Sequence, residues 1–184
     1  MALINIPDSG VWASIAAALN SNFTGINGRT GWAQYADTQY TVGNPFVVSA
    51  GTTVALPNNA GSTITSQLPT GVTELYDGTR MVSDDVGAAY AIRIGFTVSN
   101  SSQTGAFALD ADISAAGDGS IDIFNRTTSL ARGANTPQAY NTTNLIYSLG
   151  TFAANGAIIR FESIAGDSSI YDISYVISKI HKGR

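Results

Sequence analysis

Asp110, Asp112, Asp118 and Asp122 put four carboxylates into one short stretch. Carboxylates this close together are the raw material of a calcium site. The helix–loop–helix calcium motif needs Gly at its sixth place and Glu at its twelfth. Counted from Asp110, those places hold Ala115 and Ile121, so the spacing does not fit. A plainer pattern is present: Phe107, Leu109, Ala111 and Ile113 alternate with Asp110 and Asp112. That is a strand with its apolar side toward a core and its carboxylates expected toward water. Glu74 and Glu162 are the only glutamates, and no spacing marks either as half of a glycosidase pair. His181 is the only histidine, which excludes a histidine-rich metal site within one chain. A Ser-His-Asp triad would have to use it. With Lys179, Lys182 and Arg184 it reads instead as a solvated basic end. No nucleophile elbow, zinc-protease helix motif or phosphate-binding glycine loop occurs. The expectation is a protein that is not an enzyme, with no cofactor-binding, catalytic or metal residues.

The bulk composition narrows the class. The chain has 184 residues, enough for one sizeable core. Apolar residues make up 44% and mean hydropathy is +0.10, which argues against disorder. Charged residues are 12%, about half the usual share of ~25%. Gly, Ser, Thr and Asn take their place, as suits secreted, fibrous or virion surfaces. The net charge is −4, and no basic stripe precedes the last residues, so no nucleic-acid partner is expected. Cysteine is absent, so stability must come from packing or assembly. No apolar run is long enough for a membrane span, and the first residues lack the pattern of a secretion signal. Asn22, Asn100, Asn125 and Asn141 head N-x-Ser/Thr triplets, expected to be unmodified.

The elements divide in two. Asp8 and Ser9 supply helix-start chemistry, and 11–23 reads as a helix. Trp12, Ile15, Leu19, Asn22 and Ile26 follow a three–four spacing, with Val11, Ile15, Leu19 and Phe23 as a competing stripe. Two readings stand: a helix lying on its own core, or a seam that meets copies of itself or docks on another body. After the break at 27–31 the chain is punctuated as all-β. The centre of that region is 89–99, where Ile92, Ile94, Phe96 and Val98 alternate with Ala91, Arg93, Gly95, Thr97 and Ser99. Strands are also expected at 32–41, 46–49, 52–56, 62–66, 74–76 with 80–82, 106–113, 120–128, 144–152, 157–164 and 170–181. The stretch 129–140 reads as a surface loop. Asn155-Gly156 between apolar runs predicts a hairpin. In 157–164, Ile159 and Phe161 point one way, Arg160 and Glu162 the other. In 170–181, Tyr171, Ile173, Tyr175 and Ile177 are expected on one side. The other side mixes Asp172, Ser174 and Ser178 with Val176 and Ile180, which suits a surface touching another subunit. Trp32, Tyr35, Tyr40, Tyr76, Tyr90, Tyr140 and Tyr147 exceed what one core needs, and most are expected at an interface or in the core. Many short strands without interleaved helices predict two packed antiparallel sheets: a jelly-roll β-sandwich first, an immunoglobulin-like sandwich second.

A resemblance adds to this reading. Leu19-Asn20-Ser21-Asn22-Phe23-Thr24-Gly25-Ile26 resembles a segment near the N-termini of phage tail and head appendage proteins. Residues 31–41 and 68–77 resemble the start of small β-domain proteins encoded among phage structural genes. Residues 87–98 are similar in rhythm to the central strand of the trimeric tumour-necrosis-factor and C1q-like jelly rolls. The resemblance implies a phage virion structural protein: an all-β antiparallel jelly roll at 31–184 preceded by a short helix in an anchor at 1–30. It implies a homotrimer, decorating or cementing the capsid or forming a head spike, made in the host cytoplasm and carried on the virion. Trp12, Ile15, Leu19 and Phe23 would make the anchor or trimer contact, with the major capsid protein or another virion protein as partner. The alternative is the tip of a tail fibre that recognises host surface glycans. The chain is short for a complete fibre and has no repeat-rich shaft.

Overall fold

The computed structural model describes residues 11–27 and 29–181, with the side chains of 11, 12 and 22–27 outside the described residues. A helix, α1 (Val11–Asn27), precedes ten strands and one further short helix. The strands are β1 (Gly31–Ala36), β2 (Phe46–Val48), β3 (Thr52–Ala55), β4 (Ser62–Ile64), β5 (Ala89–Asn100), β6 (Ala106–Asp112), β7 (Asp122–Ser129), β8 (Gln138–Tyr147), β9 (Ile158–Ala165) and β10 (Ser168–His181). The second helix, α2 (Gly150–Asn155), lies between β8 and β9. One sheet has six strands in the order β4-β1-β10-β5-β8, with β2 also paired to β10. The other has four, in the order β3-β9-β6-β7. All the strand pairs are antiparallel. The two sheets form the expected jelly-roll sandwich.

β5 and β10 are the centre of the larger sheet. Ile92 lies opposite Ile177, Ile94 opposite Tyr175 and Val98 opposite Ile170. All six are buried, as is Phe96. Facing them across the sandwich are Phe107, Leu109 and Ala111 of β6 and Ile159 and Phe161 of β9. Phe107 and Phe161 stack with ring centroids 5.0 Å apart, and Phe96 meets both edge-on at 5.6 and 5.8 Å. These offset and edge-on geometries suit the ring quadrupoles and bind the two layers together. The alternation expected for 89–99 and for Ile159, Phe161, Arg160 and Glu162 is observed.

Four expectations are corrected. Asn155-Gly156 is not a hairpin turn. It ends α2, with Gly156 at φ 70° donating its N–H to the Phe152 carbonyl. The flanking strands β8 and β9 lie in different sheets, so the connection crosses the sandwich rather than turning back within one sheet. Gly is required there twice over, by the left-handed backbone and because a Cβ would stand 2.6 Å from the Met81 carbonyl oxygen. Tyr171 does not share a side with Ile173. Asp172, at φ 55°, forms a bulge in β10 opposite Phe96, so both Ile170 and Ile173 point inward and Tyr171 turns out. The pair expected at 74–76 and 80–82 is reduced to one bridge, Tyr76 with Met81. The end of the stretch expected as loop, from Gln138, is already in β8.

The aromatic contact sets the size of a packing test. Phe161→Ala should cost about 3–5 kcal/mol of unfolding free energy, because it removes the stacked ring and leaves a cavity between rigid strands. Urea denaturation followed by circular dichroism checks it, and a loss near zero would show that the layers are held elsewhere.

Candidate interaction surfaces

α1 carries no charged residue. Ile15 and Leu19 are 40% and 43% exposed, and the core draws no described side chain from α1. Trp12 and Phe23, the other two candidate contact residues, have side chains outside the described residues. The helix leads into β1 beside Lys179, where Gly31 is closely held. A Cβ on Gly31 would lie 2.3 Å from the Gln67 carbonyl oxygen and 2.7 Å from the Pro69 nitrogen, and Trp32 donates its N–H to Gln67. The chain therefore leaves the sandwich at a backbone-clamped point.

The outward side of the six-stranded sheet is the second surface. Register places Trp32 and Gln34 of β1, Ser178 and Val176 of β10, Ala91 and Arg93 of β5, and Thr143 and Leu145 of β8 side by side. Trp32, Gln34, Ala91, Arg93, Thr143, Val176 and Ser178 line a shallow open depression of about 410 Å³. Leu145, Tyr147 and Ile180 stand exposed at one end of it. The mixed polarity expected for this side of β10 is observed, and it extends across four strands.

The acidic residues are committed to structure. Asp110 and Asp112 are buried, not facing water as the alternation predicted. Arg160 reaches from β9 to Asp110, with Nε 2.7 Å from Oδ1 and Nη2 3.1 Å from Oδ2, and on to Asp122 at 3.3 Å. Asp112 accepts the N–H groups of Ser114 and Gly119 at 2.8 and 2.9 Å and the Ser114 hydroxyl at 2.9 Å. Burial raises the Asp112 carboxyl, but these hydrogen bonds and the Arg160 charge outweigh it and hold it below the usual carboxylate value. Burial and the neighbouring Asp110 push Asp122 up, against the pull of Arg160. Among the described residues no cluster of His, Asp and Glu is arranged to hold a metal ion.

Lys179 is corrected as well. It is not part of a solvated basic end: its side chain is buried and its Nζ donates to Asp84 Oδ2. Tyr90 donates to the other oxygen of the same carboxylate, and Ser83 bridges Tyr90 and Ser148. Burial raises Asp84, and the bonds from Lys179 and Tyr90 with the Lys179 charge more than reverse it, so its carboxyl titrates below the ordinary value. The signal was in the sequence, because Lys179 continues the inward phase of Tyr175 and Ile177. His181 is exposed. Most of the aromatics fall in or against the core: Tyr35, Tyr76 and Tyr90 are buried, and Tyr40 and Tyr140 pack on it. Tyr147 is exposed, and Trp32 is half-buried on the open sheet face.

The geometry defines a class: an antiparallel jelly roll with tumour-necrosis-factor-like topology, carrying a charge-free helix at its leading end. Its relatives by structure are as follows. Eiger TNF from S. frugiperda is similar over 85% of this chain and 96% of that one, at TM-score 0.53 and 13% identity. The PRD1 vertex protein P5 is similar over 83% and 73%, at TM-score 0.48 and 18% identity. The VP2 subviral particle of infectious bursal disease virus is similar over 83% and 33%, at TM-score 0.42 and 13% identity. The first establishes the fold alone, and the two viral likenesses are too distant to carry an inference. No family model matches the chain, and no curated protein matches it.

Two predictions follow from the polar core. Asp84→Ala strands a buried ammonium and should cost about 3 kcal/mol or more, whereas Lys179→Met leaves a carboxylate that water can reach and should cost less. Equal losses in denaturant melts would contradict this asymmetry. Burial raises Tyr35, Tyr76, Tyr90 and Tyr175 above the ordinary value of 10, Tyr90 to about 12. The unfolded chain then releases these protons first. Stability should be complete below pH 10 and fall as pH rises through Tyr90's value of about 12. Denaturation midpoints measured across that range, beside the ultraviolet titration of tyrosinate, check it; a flat profile would overturn it.

Proposed function

We propose that this chain is a structural protein of a phage virion, a homotrimer that decorates or cements the capsid or forms a short head spike. The 31–184 sandwich is the head, and 1–30 is the anchor. One observation carries the reading: a charge-free helix, with Ile15 and Leu19 nearly half exposed, leads into a sandwich whose core is complete without it. A single helix of this length is marginal in water and is stabilised chiefly by packing an apolar face. Trp12, Ile15, Leu19 and Phe23 would supply that face, toward the other two copies, the major capsid protein or another virion protein. Its work is mechanical, since burying apolar area at subunit junctions contributes about 25 cal/mol per Å² before association costs. The low charge and the sequence resemblance of 19–26 to phage appendage proteins support the same role.

A second reading is the tip of a tail fibre that binds host surface glycans. It has the Trp32 depression and the exposed Tyr147 in its favour, because aromatic faces serve as platforms for sugar rings. Adsorption blocking by the purified protein, or specific signal on a glycan array, would bring this reading forward.

Deletion of residues 1–28 tests the first reading. The remaining chain should keep its β-rich circular dichroism and its cooperative melt while losing attachment to particles in a sedimentation assay. Undiminished decoration by the shortened chain would sink the anchor.

A further inference from the structure

We propose that a second copy of this chain packs on the open face of the six-stranded sheet and places a carboxylate beside Arg93 in the Trp32 depression. This rests on the homotrimer part of the reading above and is independent of where the protein attaches. The two outer faces of the sandwich differ in how they treat charge. On the four-stranded sheet Arg160 is consumed by Asp110 and Asp122 of the same chain. On the open face Arg93 stands among Trp, Gln, Ala, Thr, Val and Ser, with no ion-pair partner among the described residues. The chain as a whole carries net charge −4, with 13 acidic residues against 9 basic ones, so another copy offers the sign that Arg93 lacks.

Shape points the same way. Ala91, Gly95, Ser174 and Ser178 keep the middle of the face low, so another backbone can come close. Leu145, Tyr147 and Ile180, at 57%, 62% and 48% exposure, form an apolar margin. That margin lies at the end where β1 begins and α1 departs, since Gly31 pairs with Lys179 and Ala89 with both Tyr147 and His181. Copies joined through their leading helices therefore hold these faces at high local concentration. A face that receives a different patch of its neighbour is a heterologous contact, and three such contacts can close a ring.

Sedimentation velocity of the full chain and of the chain lacking 1–28 tests this, with circular dichroism to confirm folding. Wild type should be oligomeric in both forms. Arg93→Glu, which reverses the charge, and Ala91→Arg, which fills the floor, should each weaken association at least about tenfold in the shortened chain. Asn125→Arg, on the outward side of β7, should leave it unchanged. A shortened chain that is folded but monomeric would overturn the proposal while leaving the helix-mediated trimer standing. Folded Arg93→Glu and Ala91→Arg variants that associate like wild type would overturn it too. So would loss of glycan-array binding in Arg93→Glu with its mass unchanged, which would assign the depression to a sugar.

Discussion

The pairing of β10 with β5 governs the molecule. β10 carries β1 and β2 on its other edge, and β5 carries β8, so the larger sheet hangs on this one ladder. A slip of one residue would turn Ile92, Ile94, Phe96 and Val98 out to solvent. The register is held by a device that simple alternation lacks. Asp172 takes a left-handed conformation and adds one residue to β10 opposite Phe96. Ile170 and Ile173, three apart, then both reach the core beside Val98 and Tyr175. An unbulged β10 would bury one of them and expose the other.

The parts of the fold that were legible in the residues are those where the pleat acts alone. In β5, β6 and β9 every second residue is apolar, and the observed strands follow that pattern. Legibility failed where a longer-range partner reversed a local preference. Asp110 and Asp112 sit on the polar side of β6, and the pattern alone sends them to water. Arg160, fifty residues away in sequence, covers Asp110 instead, and the turn at Ser114 and Gly119 wraps Asp112 with its own N–H groups. Asn155-Gly156 has the composition of a hairpin, but Gly is equally at home ending a helix. What decides is that Phe152 is buried, which needs a helical turn between the sheets rather than a direct return.

The candidate surfaces were legible in part for the same reason. The mixed side of β10 could be read from Val176 and Ile180 among serines, because no bulge intervenes after Ser174. That Trp32 and Arg93 join it could not be read, since strand order across a sheet is not written in any one strand. Lys179 was misread from its place near the terminus, though its phase with Tyr175 and Ile177 puts it inside. Phase along a strand is the more dependable guide, because a side chain must follow its backbone while a terminus need not be solvated.

These placements determine what kind of surface remains. The chain has few basic residues, and the interior uses several of them. Arg160 holds Asp110 and Asp122, Lys179 holds Asp84, Arg126 reaches Thr142, and Arg80 donates to the carbonyls of Ser114, Ala115 and Asn155. Each neutralises or satisfies groups that the loops between sheets would otherwise leave unpaired. The outside is thereby left to hydroxyls, amides and scattered apolar side chains. Such a surface generates little long-range steering and recognises its partners by close fit over extended area. A lone cation in that setting has a large effect on which partner fits, because desolvating it without a carboxylate is costly wherever a neighbour covers it. Arg93 occupies that position at the lowest part of the open face, and the few charges of the chain are thus divided between closing one sandwich and selecting what lies against it.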